Sequence, residues 1–494
     1  MEEEPIAPRT DDLEPHVGYP RVRFVVLLII IAALLIAIGI AQRRYSPTSG
    51  ESSFSEKTLQ ADIAMKMSYA YQRWFAAVPE GAAQNRIGVF AETQKRSAVA
   101  WYAQVVRENP SADHIRRLVI LESSSAVPLG IERMEEMGRS RPKLASEAVM
   151  WRNIYSSTDS LAPAQVAAYE SRIRSLKLGW YEHLALADLY GRARLWDRAA
   201  QEREKAEQAA VRTVVAFIGV VALIIILGCT GTILMVLYVI AKRSRRSSAQ
   251  DADSGQPPHV RSFVAGYLLE AFVVYLALVI GTQIAAAAVL VTGKPVNSNG
   301  AEGEIILTVI VYVLSGVLSL FYLGWRLRRA GWSWASVGLT SRNPVGDIGW
   351  GIAGYAAALP LVLIAGLISR ALSRYIETPS NPVVPMFVES NTALERALLL
   401  VLVAVVAPFF EELFFRGVLF HSFRAAWGVV MGILSSAVVF GLVHPLPLDF
   451  LPIFALGSVF ATLVYERGSL LPSMIAHGLN NTAAFAVLLI LMGS

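Results

Sequence analysis

Long apolar segments recur along this chain, and they limit it to folds in which helices cross a bilayer. A helix needs about 20 mostly apolar residues to span roughly 30 Å of hydrocarbon. Hydrophobic residues make up 54% of the 494 residues and charged residues only 17%, which is too apolar for an ordinary soluble protein. We therefore predict an all-α fold, a polytopic transmembrane helical bundle with an inserted helical extramembrane domain. The predicted spans are residues 24–41, 214–241, 262–292, 304–325, 348–368, 397–423, 428–444, 450–466 and 470–492.

Polar stretches between the apolar ones define the domain organisation. The first apolar segment follows a polar, proline-containing tail and is longer than the core of a typical signal peptide, so we expect it to be retained as an anchor. The long polar insert has helical periodicity and almost no strand signal. The predicted parts are a disordered tail at 1–23, an anchor at 24–41, a helical extramembrane domain at 45–210, a transmembrane helix at 214–241, a basic cytoplasmic linker at 242–260 and a transmembrane bundle at 261–494.

Basic residues at the ends of two spans indicate the orientation of the chain. Lys242 and Arg243 follow the second span, with two more arginines just beyond them, and Arg326, Arg328 and Arg329 end the fourth. Short loops rich in Lys and Arg stay in the cytoplasm. We therefore expect a multi-pass integral membrane protein with a cytoplasmic N-terminus and with residues 45–210 on the outer side.

One stretch of the extramembrane domain has a repeat-like pattern. Leu186, Ala187 and Tyr190, followed by Ala199 and Ala206, resemble a tetratricopeptide repeat. An earlier stretch fits only the second half of such a repeat, and an array needs about three repeats to bury a core. The domain is therefore either tetratricopeptide-like or an ordinary helical domain. The resemblance implies that residues 45–210 bind a protein partner.

Composition excludes several classes of protein. Cys229 is the single cysteine, so the chain has neither a disulfide framework nor a cysteine-based zinc site. No basic tract is interleaved with aromatic residues, so we expect no nucleic-acid partner. Besides the lipid bilayer, the expected partners are proteins and peptides.

Two adjacent glutamates lie inside the apolar segment 397–423. An acidic side chain at bilayer depth costs roughly 2.5–3.5 kcal/mol on insertion scales, so such a cluster indicates a functional site. Glu412 and Arg416 are four residues apart and share a helix face, which predicts a buried ion pair. Glu411 points about 100° away, and an unpaired carboxylate in a low-dielectric site suits a general base. Pro408 predicts a kink one turn earlier.

Two further pairs of residues lie four apart on later apolar helices. Phe440 and His444 share one face, and His477 and Asn481 share another. His477 and Asn481 can together donate hydrogen bonds to one oxygen, which is what an oxyanion hole requires.

These three motifs, in this order, resemble the CPBP family of intramembrane proteases, which includes CAAX prenyl endopeptidases and bacteriocin-processing enzymes. The resemblance covers about residues 260–494, and all three motifs are complete. It implies an endopeptidase in which Glu411 activates a water, with His444 sharing that task. It also implies that His477 and Asn481 stabilise the oxyanion, while Glu412, Arg416 and Phe440 shape the site. The implied substrate is a membrane-anchored or lipid-modified peptide.

The residues leave the metal dependence and two other functions open. Glu411, His444 and His477 could bind zinc or another divalent metal, although we favour a mechanism without a cofactor. A non-enzymatic membrane scaffold or immunity factor would keep its function without Glu411. A cation-coupled transporter would use the acidic pair as a relay, but the sequence shows no inverted repeat of broken segments.

Overall fold

Every regular element in the described part of the computed structural model is helical, which confirms the predicted all-α class. We number the helices α1 to α16 and treat Ala393–Trp427 as one helix. The structure describes residues 21–45, 51–76, 82–108, 110–122, 129–157, 160–245, 258–292, 300–373, 384, 386–387, 390, 392–444 and 447–492. Chain contacts divide it into two units, one made mainly of residues 47–222 and the other mainly of residues 223–485 with the first 46 residues.

The first unit, the extramembrane unit, consists of two long helices, α2 and α3, and several shorter ones around one apolar core. Trp151 and Tyr102 are fully buried there, with Met65, Ile115 and Leu118 beside them. The helices are α2 (Glu51–Ala76), α3 (Ala82–Glu108), α4 (Ala112–Leu121), α5 (Leu129–Gly138), α6 (Pro142–Tyr155), α7 (Pro163–Ser175), α8 (Trp180–Arg192) and the first part of α9 (Trp196–Arg245). The tetratricopeptide-like arrangement stays a prediction, since a helical core of this kind is common to many domains.

Buried charges in the extramembrane unit are held by several partners. The Glu147 carboxylate accepts hydrogen bonds from Arg116 at 2.8 and 3.0 Å and from Arg172 at 2.6 Å. Lys66 is 4% exposed, and burial lowers the pKa of its ammonium group, which the nearby Asp62 charge opposes. A buried amine is stable only where its neutral form is favoured or a partner compensates the charge.

The second unit, the membrane unit, contains the long apolar helices. Seven helices of the described chain have the length and composition to cross a membrane, while Val22–Ile36 and Val429–Val443 are shorter apolar segments. The helices of this unit are α1 (Arg21–Tyr45), the later part of α9, α10 (Pro258–Thr292), α11 (Gly300–Arg329), α12 (Pro344–Leu372), α13 (Ala393–Trp427), α14 (Val429–Val443), α15 (Phe450–Arg467) and α16 (Leu471–Met492). The chain is an integral membrane protein.

Several helices extend past the predicted spans. Helix α9 has 50 residues without a break, so no helix end separates the polar part predicted to stop at 210 from the span predicted to start at 214. Its polar part is rich in Ala, Glu, Lys, Gln and Arg, which are strong helix formers. The predicted linker 242–260 is helical at both ends, and residues 246–257 lie outside the described residues, as does most of the predicted tail, residues 1–20.

Helix α13 occupies the interior of the membrane unit. Phe414, Phe415 and Phe420 are each buried, as is every side chain from Glu412 to Phe420. A helix that is buried on all sides is surrounded by other helices. Polar groups between Glu412 and Phe420 therefore face protein rather than lipid, whereas Val401 and Val405 earlier in α13 are exposed.

Candidate active site

The backbone of α13 is distorted on both sides of the glutamate pair. Residues Leu402–Val406 and Leu413–Phe420 are π-helical, so the Ala407 N–H bonds to the Leu402 carbonyl five residues earlier. In that register the Val403 carbonyl would need the N–H of Pro408, which has none. The Val403 carbonyl instead accepts a hydrogen bond from Asn481 Nδ2 at 2.8 Å. Because Pro408 has no N–H, the Val403 carbonyl is left available to a side chain of α16. Turns of π-helix are frequent at functional sites.

A glycine lets α16 approach this segment closely. A Cβ atom on Gly478 would lie 2.6 Å from the Ala404 carbonyl oxygen, closer than real Cβ atoms come. Small residues at helix contacts in membranes allow backbones to approach in this way. The close helix contact at Gly478 therefore brings His477 and Asn481, on the same helix, near α13.

Glu412 and Arg416 form the ion pair that their spacing predicts. Arg416 Nη1 donates to Glu412 Oε1 at 2.9 Å, and the two side chains are 0% and 1% exposed. The Arg416 guanidinium also lies 4.1 Å from the Phe440 ring centre and 5.3 Å from that of Phe460. A fully buried ion pair must satisfy its remaining polar atoms to be stable, and the aromatic faces supply part of that compensation.

His477 connects the two glutamates. Its Nδ1 lies 2.9 Å from Glu412 Oε1, and its Nε2 lies 3.9 Å from Glu411 Oε2. A carboxylate only accepts hydrogen bonds, so Nδ1 carries the proton and the neutral ring presents a lone pair at Nε2. The Phe460 ring stacks on the imidazole with ring centres 5.2 Å apart, which fixes its plane.

Glu411 has a partner that the sequence analysis missed. The Tyr312 hydroxyl of α11 donates to Glu411 Oε1 at 2.9 Å, so the prediction of an unpaired Glu411 is wrong in this respect. The signal was present, because Tyr312 and Gly316 lie four apart on one face of an apolar helix. A Cβ atom on Gly316 would lie 2.6 Å from the Phe410 ring, so this face packs closely on α13. Glu411 keeps Oε2 for other partners.

His444 follows the last residue of α14. Its Nδ1 donates to the Phe440 carbonyl at 2.7 Å, and its ring packs edge-on against the Phe440 ring with centres 4.9 Å apart. The Phe440 ring centre is also 5.9 Å from that of His477. With Nδ1 engaged, the acceptor nitrogen of a neutral His444 is Nε2. The Phe440 ring thus contacts both histidines and the Arg416 guanidinium.

Asn481 is not aimed at the same atom as His477 in this structure. Its amide nitrogen bonds to the Val403 carbonyl, and its oxygen accepts from Asn480 Nδ2 at 3.2 Å. His477 points toward the two glutamates instead. The Asn481 amide retains a second N–H, whereas His477 would have a second donor at Nε2 only after it binds another proton. A shared oxyanion hole therefore stays a prediction.

The structure does not bring the possible metal ligands into one cluster. Among the described residues, no three His, Cys, Asp or Glu side chains are grouped as a metal ion requires. Glu411 and His477 are neighbours, but the ring nitrogen of His477 on the other side is bound to Glu412. The donor set of Glu411, His444 and His477 does not fit a three-ligand site in this geometry.

The apolar helices of the membrane unit enclose two glutamates, an arginine and a histidine, so an integral membrane protein with a buried cluster of ionisable side chains is defined. Residues 393–483 match the family model described as Type II CAAX prenyl endopeptidase Rce1-like. This match contains all three motifs and confirms the family resemblance in the C-terminal half. At the family level, the match of this segment supports a CAAX-type intramembrane protease. No curated protein and no solved structure matches the chain.

Proposed function

We propose that residues 261–494 form an intramembrane endopeptidase that hydrolyses a peptide bond of a membrane-anchored or lipid-modified substrate. The observation that carries this proposal is the different surroundings of two adjacent carboxylates. Glu412 is bound on one oxygen by Arg416 and His477, whereas Glu411 retains an oxygen near His477 Nε2. One carboxylate is thus structural and the other can exchange a proton.

In the proposed reaction Glu411 acts as general base. Its Oε2 takes a proton from a water, the water oxygen attacks the carbonyl carbon of the peptide bond, and the carbonyl π electrons move to oxygen. Tyr312 holds Oε1 and so directs Oε2 toward the water. The Nε2 of His444 shares the task by accepting a hydrogen bond from the other O–H of the same water, which keeps that proton. General base catalysis of this kind contributes about 10²–10⁴-fold.

The tetrahedral intermediate then needs donors and a proton. The second N–H of Asn481 donates to the oxyanion. A His477 that has taken up a proton from solvent at Nε2 before the reaction donates Nε2–H to the same oxygen, keeps Nδ1–H on Glu412, and still holds both protons when the products leave. Each such donor contributes about 10²–10³-fold to the rate. When the C–N bond breaks, the Glu411 carboxyl returns its proton to the leaving amine, which restores the carboxylate.

The proposal is tested with protein in liposomes and quenched membrane peptides, with and without a lipid anchor. We compare wild type with Glu411→Ala, His477→Ala and the control Thr482→Val, an exposed position of α16 beside Asn481. Cleavage that both alanine variants lose, and that wild type and Thr482→Val keep in chelator, supports the metal-free mechanism.

Two other outcomes redirect the assignment. Cleavage lost on chelation and restored by zinc would make Glu411, His444 and His477 metal ligands after a rearrangement. No cleavage by wild type, together with a cellular phenotype that survives Glu411→Ala, would favour the scaffold. Cation-coupled uptake into the same vesicles would favour the transporter.

A further inference from the structure

A cavity of about 920 Å³ opens in the extramembrane unit beside the turn that joins α8 to α9. Pockets that enclose ligands are roughly 300–1,000 Å³ in volume. Ile154, Ala187, Ala199 and Ala200 give the cavity an apolar floor, and apart from Gly191 and Trp196 the rest of its lining is polar or charged. An apolar floor with a charged rim is the usual composition of a site that binds part of another molecule.

Most charges in the lining are already paired. Arg73 lies 3.3 Å from Glu207 and 3.9 Å from Glu204, and Arg203 lies 3.7 Å from Asp188. In these pairs, the negative charge of each acidic side chain of the cavity is balanced by an arginine. Arg194, at the turn, has no ion pair with any residue that the structure describes. The cavity therefore presents a surplus of positive charge at its rim.

Three residues around this turn are poor choices for local stability. Gly191 is the penultimate residue of α8, where alanine would favour the helix more, although a Cβ atom there would meet nothing within 4 Å. Arg194 has a φ of 59°, a left-handed conformation that is unfavourable for a non-glycine residue. Trp196 is 66% exposed. All three line the same cavity, and departures from local rules concentrate at functional sites.

We propose that this cavity binds an acidic segment of a partner protein. A carboxylate of the segment pairs with Arg194, an apolar side chain packs on Trp196 and the floor, and the space over Gly191 admits the segment's backbone. Trp and Arg are the residues most enriched among the binding hot spots of protein interfaces. The proposal is independent of the peptidase, which resides in residues 261–494.

The test measures peptide binding to the full-length protein in detergent by fluorescence polarisation. The probes are two labelled pools of random octapeptides that differ only at two fixed positions, Glu in one pool and Lys in the other. We expect the Glu pool to bind at least 10-fold more tightly. Gly191→Leu, which fills the cavity, and Arg194→Glu should each weaken binding of the Glu pool at least 10-fold.

Controls separate loss of the site from loss of the fold. Arg139→Glu, an exposed arginine just after α5, should change the affinity less than 2-fold. Gly191→Leu should keep the melting temperature, because the new side chain meets no other atom at Cβ. Equal binding of both pools, or full binding by a folded Gly191→Leu variant, would overturn the proposal. Displacement of the Glu pool by equimolar free glutamate would assign the cavity to small carboxylates instead.

Discussion

Two neighbouring glutamates in α13 differ because each faces a different helix. Glu412 is enclosed by Arg416 and His477, while Glu411 meets Tyr312 of α11. Adjacent residues of a helix point about 100° apart, so the adjacent Glu411 and Glu412 contact different neighbouring helices. At this scale the chemistry depends on which hydrogen-bond donors each carboxylate receives.

Tyr312→Phe removes one donor from Glu411 and leaves the ring in place. A hydrogen bond to a charged group contributes about 1.5–3 kcal/mol, so we expect kcat to fall roughly 10- to 100-fold. KM should change less than 3-fold, because the hydroxyl contacts Glu411 rather than substrate in our account. Steady-state kinetics in liposomes measure both constants. An unchanged kcat would show that Tyr312 does not orient Glu411.

Arg416→Met leaves the Glu412 carboxylate buried without its cation. Breaking a buried pair from one side costs roughly 3–5 kcal/mol, so we expect a much lower melting temperature in detergent. Adding Glu412→Gln removes the uncompensated charge and should recover part of that loss, without recovering activity. Melting temperatures of the single and double variants test this, and equal stability of all three proteins would contradict it.

At the scale of elements, the helices of the extramembrane unit enclose an amine whose protonation depends on folding. Burial lowers the pKa of Lys66 below its value of 10.5 in the unfolded chain. Between the two values the unfolded state binds the proton more tightly, so the unit becomes more stable as pH rises toward 10.5. Below both values the full penalty of the buried charge applies.

Lys66→Met should therefore reduce this pH dependence. The melting temperature of the variant relative to wild type should be highest near neutral pH and should decline toward pH 10, because the depressed pKa lets the folded wild type hold this amine increasingly in its neutral form. Scanning fluorimetry of the full-length protein between pH 7 and 10 measures the difference. A difference that does not vary with pH would contradict the assignment of a depressed pKa to Lys66.

At the scale of the whole molecule, the orientation in the membrane rests on basic residues at helix ends. Cys229 is the single cysteine, so in a Cys229→Ser background any maleimide labelling comes from the introduced cysteine. We expect Ser175→Cys in the extramembrane unit to react with an impermeant maleimide in right-side-out vesicles. Ser333→Cys, after the arginines that end α11, should react only after permeabilisation. The reverse pattern would invert the predicted orientation.

How much the sequence predicts differs between contacts within one helix and contacts between helices. The Glu412–Arg416 pair was predictable because its spacing lies within one helix. The contacts of Tyr312 with Glu411 and of Asn481 with the Val403 carbonyl join different helices. The spacing of residues along one helix cannot predict such contacts. The kink at Pro408 stays a prediction. That Pro408 leaves the Val403 carbonyl open to Asn481 could not be predicted, because the π-helical register depends on packing around α13.

The ends of the helices are likewise poorly predicted by the sequence. Apolar length indicated the spans, but hydrocarbon thickness sets where lipid contact ends and not where a helix ends. Helix α9 continues through the predicted boundary at 210–214 because its polar residues favour helix as strongly as its apolar ones.

The central claim is that Glu411 activates a water for peptide hydrolysis. Its most direct test is the single-turnover cleavage rate of one quenched lipidated peptide by wild type and by Glu411→Gln, reconstituted in the same liposomes. Glutamine has nearly the same shape as glutamate but accepts no proton, so we predict at least a 100-fold loss with little change in melting temperature. Cleavage by Glu411→Gln at the wild-type rate would contradict the account.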